Sequence, residues 1–138
     1  MPIVLGYDES PGAVRALHVA IEVSAAFGEP LVLVYGAAAP GSVGEEYTAH
    51  RDAVQEVGRT ALAHAVAVAD EAGVRTTVEV LDQKPAEALI DAATRHGARC
   101  IVVGSWGESP LRGALLGSTP HKLLHLARTP VLCVPTEP

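Results

Sequence analysis

Five short apolar runs, the first four each followed by a stretch patterned as a helix, limit what this chain can fold into more than any other feature. They occupy residues 3–7, 31–35, 76–81, 100–103 and 131–134. Between the first two, Val14, Leu17, Ile21 and Ala25 recur at helical spacing, with Ser10 as N-cap, Pro11 at N1 and Gly28 closing the helix. A second helix is predicted over about 45–72, with Tyr47, Val54, Val57, Ala61, Ala65 and Val68 as its apolar stripe and Gly73 at its end. Gly58 inside it costs about 1 kcal/mol relative to alanine. Pro85 opens a third helix whose inner face is Ala86, Leu89, Ile90 and Ala93, with Gly97 as C-cap. A fourth is predicted over 120–128. Strict alternation of strand and helix implies an open parallel sheet covered by helices on both faces.

The runs also differ in a way that orders them. The first, second and fourth are almost continuously apolar and so belong in the middle of the sheet. Thr76-Thr77-Val78-Glu79-Val80-Leu81 alternates, as an edge strand does. Right-handed crossovers then favour the strand order 3-2-1-4-5. In that order the winding reverses between the first and fourth strands, and ligands of such sheets bind beyond the strand C-termini at the reversal. Asp8 follows the first strand and Gly104 the fourth, so both fall there. The fifth strand, Val131, Leu132, Cys133 and Val134, is a wholly apolar edge, which invites pairing with a second copy: a homodimer is expected through it.

Composition narrows the function classes. A chain of 138 residues is expected to form one domain with a real core. A net charge of −6 argues against a nucleic-acid surface, and no apolar run approaches the roughly 20 residues of a membrane helix. Cys100 and Cys133 read as small buried hydrophobes, and no basic leader precedes the first strand, so a reducing cytoplasm is expected.

The chemistry concentrates in Val103 to Thr119. Here a buried strand runs into a loop bearing Gly104, Gly107, Gly113 and Gly117, and the loop runs into a helix start at Ser118-Thr119-Pro120. Glycines let backbone approach a bound group closely, and helix starts present unpaired N–H groups with partial positive charge. Together they form an anion site, with Gly117, Ser118 and Thr119 offering N–H and hydroxyl groups to phosphate. Read on spacing alone, an ordinary strand-to-helix loop with turn glycines and a Ser/Thr cap is an equal alternative. Arg112 is the only Lys or Arg between Gly104 and Gly117 and is a candidate phosphate partner, with a solvent-facing charge as its alternative; Glu108 brings a carboxylate beside Gly107. His121 and His125 stand at i, i+4, a spacing that can place two metal ligands on one helix face, but no third ligand is evident and an exposed pair, with His121 near phosphates at the helix start, is the favoured alternative. Neither a nucleophile elbow around Ser105 nor the Gly-x4-Gly-Lys-Ser/Thr phosphate loop is present.

Taken together, Gly104-x-x-Gly107-x9-Gly117-Ser118, a following helix and the closing Thr129-Pro130-Val131-Leu132-Cys133-Val134-Pro135 resemble the universal stress protein family, its ATP-binding branch in particular. The opening Ile3-Val4-Leu5-Gly6-Tyr7-Asp8-Glu9-Ser10 is similar to that family's first strand and acidic turn. The resemblance implies ATP, with Mg²⁺ on the phosphates, as ligand. It implies an adenosine contact at Asp8, a backbone contact near Gly36, and a phosphate loop on Gly104, Gly107, Gly117, Ser118 and Thr119. It also implies dimerisation through the last strand, and signalling through nucleotide-dependent change in place of fast catalysis. Two other classes compete. An interaction protein of the same fold would leave the loop without a ligand, and Glu108 favours it. A phosphoacceptor receiver would use Asp8-Glu9 and Asp82, but needs a Lys where this chain has Val134-Pro135-Thr136.

Overall fold

The computed structural model describes residues 1–38, 44–105 and 116–136. Nine elements alternate along it: β1 (Ile3–Gly6), α1 (Pro11–Phe27), β2 (Leu31–Gly36), α2 (Glu45–Glu71), β3 (Thr76–Leu81), α3 (Pro85–His96), β4 (Cys100–Gly104), α4 (Ser118–Leu126) and β5 (Val131–Val134). The strands form one sheet in the order β3-β2-β1-β4-β5, as the apolar patterning required. Every pairing is parallel. Ile3 of β1 stands opposite both Leu31 and Cys100, Gly36 opposite Leu81, and Gly104 opposite Val134.

The period of two along each strand divides the core into two layers. Ile3, Leu5, Leu31, Leu33 and Val102 point to the face covered by α1 and α2, where they meet Leu17, Ala61, Leu62 and Ala65. Val4, Val32, Val34, Ile101 and Val103 point to the other face and meet Ala86, Leu89 and Ala92 of α3 and Leu123 of α4. Cys100 packs with the first layer and Cys133 with the second, so the two thiols lie on opposite faces and are unpaired. Burial raises the pKa of both, which disfavours their thiolate forms.

Two helical stripes differ from the sequence reading. The inner face of α1 is Ala13, Ala16, Leu17, Ala20, Ile21 and Ser24, while Val14 is 39% exposed and Ala25 faces solvent. α1 is apolar nearly all round, so periodicity leaves its phase ambiguous, and the small alanines allow the closest approach to the sheet. On α2, Val57 is 60% exposed, and Gly58 takes the inner position beside it. A Cβ at Gly58 would lie 2.4 Å from Cδ1 of Tyr35, so the glycine makes room for that ring. Helix α4 begins two residues earlier than predicted, because Pro120 needs no N–H anywhere in a first turn.

The two sheet edges are unlike. On β3, Glu79 is held by Arg95 and His96 of α3, and Arg95 in turn contacts Asp91 at 3.0 Å. The Arg95 guanidinium holds the Glu79 carboxyl below its usual range. A partly buried charge on an edge strand discourages pairing with another chain. On β5, Leu132 is 39% exposed, and Leu124 and Leu126 of the adjacent α4 are 59% and 62% exposed.

Candidate functional site

At the C-terminal end of β1 the chain turns sharply through Tyr7-Asp8-Glu9-Ser10. Asp8 Oδ1 accepts a hydrogen bond from the Ser10 N–H at 3.0 Å, and Ser10 Oγ accepts one from the Ala13 N–H at 3.2 Å. The Asp8 carboxylate therefore shapes the turn, and Ser10 caps α1 as its sequence position suggested. Glu9 sits at φ 63°, a left-handed conformation unusual for a residue with a side chain, and its carboxylate pairs with His64 Nδ1 of α2. Tyr7 is buried beneath the turn. Burial raises its hydroxyl pKa, and the neighbouring Glu9 and Asp8 charges push it further.

The ends of β2 and β4 are bare for reasons of packing. A Cβ at Gly36 would meet Cβ of Ala88 at 2.7 Å and Cα of Pro85 at 3.1 Å. One at Gly104 would meet the carbonyl carbon and oxygen of Gly12 at 2.8 Å. These glycines let α3 and α1 close on the sheet, so the freedom attributed above to ligand approach is at least partly taken up by the fold itself.

Beyond Gly104, Ser105 bonds both to β5 and to the residue that opens α4. Its N–H donates to the Val134 carbonyl and its carbonyl accepts from the Gly117 N–H, each at 2.9 Å. The Gly117 N–H therefore has a partner within the protein, the Ser105 carbonyl. Helix α4 has Gly117 as N-cap with no side-chain capping bond and no acid in its first turn. Its first backbone bond runs from the His121 N–H to the Gly117 carbonyl at 3.1 Å, and Pro120 has no N–H. The N–H groups ahead of that ladder are those of Ser118 and Thr119.

These parts enclose a cavity of about 240 Å³ at the point where the winding reverses. Asp8, Gly36, Gly104, Gly117, Ser118 and Thr119 all border it. Gly107 and Arg112 lie outside the described residues, as do Trp106 and Glu108. Sequence reasoning missed the apolar wall of Val34, Leu89 and Val103 and the polar Tyr35, although Pro85, read only as a helix start, marked the spot. Three helix starts meet there: α1 through Ser10 and Ala13, α3 through Pro85, and α4 through Ser118, Thr119 and Pro120. Among the described residues no Lys, Arg or His lines the cavity, so an anion there would rest on N–H groups and helix dipoles.

The receiver alternative does not survive this topology. Asp82 follows β3, and β2 separates β3 from β1, which puts the two strands about 9.5 Å apart. Asp82 instead accepts a 3.1 Å hydrogen bond from the Tyr47 hydroxyl of α2.

An open parallel sheet whose winding reverses at a cleft ringed by helix N-termini defines a doubly wound α/β protein. The model of the universal stress protein family matches residues 1–135. A universal stress protein of Thermus aquaticus is 33% identical over 138 residues, covering 96% of this chain and 96% of that relative. One from Mycobacterium tuberculosis is 33% identical over 133 residues, covering 95% of this chain but only 44% of the relative's own length. Among solved structures, protein MJ0577 superposes with a TM-score of 0.90 at 22% identity, covering 99% of this chain and 96% of that one. A universal stress protein in complex with cAMP superposes at 0.74 with 26% identity, covering 99% and 98%. The chain belongs to the universal stress protein family.

Proposed function

We propose that this chain binds an adenine nucleotide in the β1/β4 cleft, with ATP and Mg²⁺ as occupants, and works as a nucleotide-dependent stress-response or signalling module. One observation carries the reading: the start of α4 borders the cavity with two N–H groups, Ser118 and Thr119, that precede its hydrogen-bond ladder and, among the described residues, have no capping side chain. The relative solved with cAMP adds the ligand class. In this reading Ser118 and Thr119 hold phosphate, assisted by Arg112 and by backbone at Gly104, Gly107 and Gly117. Asp8 and Gly36 flank the adenosine. Mg²⁺ binds oxygen and keeps much of its water, so phosphate oxygens and the hydroxyls of Ser118 and Thr119 suit it as ligands. Residues 1–138 act as one domain, in the cytoplasm.

The variant that isolates the carrying observation is Ser118→Pro. Proline is preorganised for N1, and Gly117 at φ −60° and ψ 162° already has the backbone a residue before proline requires. The change removes an N–H and a hydroxyl while leaving the helix start intact. Calorimetry with ATP and Mg²⁺ is expected to show binding by the wild-type protein and a loss of about tenfold in the variant. No heat with wild-type protein at millimolar ATP rejects the reading and favours an interaction protein of the same fold. Equal binding by both proteins moves the phosphates elsewhere.

We also propose a homodimer through β5. The support is the contrast of edges: exposed Leu132, Leu124 and Leu126 flank β5, whereas Glu79 guards β3. A monomer by light scattering at micromolar concentration rejects it.

A further inference from the structure

We propose that the exposed surface of α4 carries a two-histidine site for a divalent transition-metal ion, separate from the nucleotide cleft and independent of any nucleotide. His121 and His125 lie one turn apart on a regular helix, both exposed, with ring centroids 4.7 Å apart and ring planes at 69°. Residues at i, i+4 share a helix face, so the spacing is held by backbone and costs little to organise. The centroid separation is compatible with a shared ion. With a metal–nitrogen bond of about 2.0–2.1 Å and a ring centre roughly 1.1 Å behind the nitrogen, each centroid stands about 3.2 Å from the ion. Two centroids 4.7 Å apart then subtend about 95° at it, close to the angle between neighbouring ligands in an octahedral or tetrahedral shell.

Other histidines have carboxylate partners that, among the described residues, these two do not have. His64 pairs with the Glu9 carboxylate and His96 with that of Glu79, and each joins two elements of the fold. The recorded contact of His121 is with His125. Lys122 is the next residue along, and adjacent positions on a helix do not face each other, so its charge points away from the pair. Among the described residues no third His, Cys, Asp or Glu joins the pair. Water fills the remaining positions, and the bound ion is exchangeable. Imidazole selects Ni²⁺, Cu²⁺ and Zn²⁺ over Mg²⁺ and Ca²⁺, which prefer oxygen.

The experiment is calorimetry of NiCl₂ into metal-free protein without nucleotide, with MgCl₂ run alongside. One Ni²⁺ per chain is expected, with no Mg²⁺ binding at this site. His121→Ala and His125→Ala should each weaken Ni²⁺ binding about tenfold or more, while His18→Ala on α1 leaves it unchanged. The double variant Lys122→His with His125→Lys keeps the composition but moves the pair to i, i+1, and should lose affinity as the alanine variants do. Paramagnetic broadening by Ni²⁺ should fall on the ring protons of residues 121 and 125 before those of other histidines. No heat at about 1 mM Ni²⁺, less than a threefold loss in the variants, or a spacing variant that binds as well as wild type overturns the proposal. Because nucleotide is absent throughout, the outcome is independent of the reading of the cleft.

Discussion

Helices α1 and α4 begin at the same cavity, on opposite faces of the same sheet, and differ in what their first-turn N–H groups do. At α1, Pro11 has no N–H, Ser10 takes that of Ala13, and Gly12 lies buried against Gly104. At α4, among the described residues, no side chain caps the turn, and Ser118 and Thr119 both border the cavity. Helix α3 stands between them: it shows the cavity Pro85 and carries its own acid, Glu87, in the first turn. A helix start is an anion site only where its donors are left uncommitted. Among the described residues, both α3 and α4 lack a side-chain cap, and of the two it is α4 that borders the cavity with N–H-bearing residues, Ser118 and Thr119, and has no acid in its first turn.

Disturbing the packing that closes α1 should have the largest effect. Gly104→Ala places a methyl 2.8 Å from the Gly12 carbonyl group, and backbone cannot swing aside as a side chain tip can. A destabilisation of about 2–3 kcal/mol is expected by urea unfolding. An unchanged midpoint would mean that the bare β4 end is kept for a ligand alone.

That prediction marks where the sequence was readable. The order β3-β2-β1-β4-β5 followed from which runs were continuously apolar and which alternated, and it brought Asp8 and Gly104 to one cleft. What could not be read is which neighbour a missing Cβ makes room for. Gly36, Gly58 and Gly104 all face protein atoms, the first and third at the cavity and the second at Tyr35. The bond from Gly117 to Ser105 joins residues far apart in sequence, and no local pattern announces such a closure. The phases of α1 and α2 were misjudged at Val14 and Val57 because alanine and glycine, which carry almost no hydrophobic signal, took the innermost positions.

Next in size is the binding loss at α4. Ser118→Pro should reduce nucleotide affinity about tenfold, near 1.4 kcal/mol, with the unfolding midpoint little changed. Ser10→Ala should do the reverse. It removes the α1 cap, costs about 1 kcal/mol of stability, and leaves affinity within about twofold. Thermal unfolding and calorimetry on the same two proteins test the pair. Parallel losses in both measurements would show that the starts are coupled and that the contrast between them has no functional meaning.

The smallest effects are the most discriminating, because stability and binding should move in opposite directions. Thr119→Asp puts a carboxylate on the open start of α4, where the helix dipole favours it by about 0.3–1 kcal/mol. It also puts that charge where the phosphates are proposed to sit, so the unfolding midpoint should rise while nucleotide affinity falls. Val14→Glu adds the same charge to the first turn of α1, at a position 39% exposed and outside the cavity lining. There the midpoint should rise by a similar or smaller amount with no change in affinity. If Thr119→Asp leaves affinity intact, the carboxylate and the ligand do not compete for the same N–H groups, and the anion is held elsewhere. If Val14→Glu lowers affinity as much as Thr119→Asp does, the cause is the overall field of an already acidic protein, with a net charge of −6, acting at long range. That field is screened by salt whereas contact at α4 is not, so repeating both titrations at raised ionic strength separates the two causes.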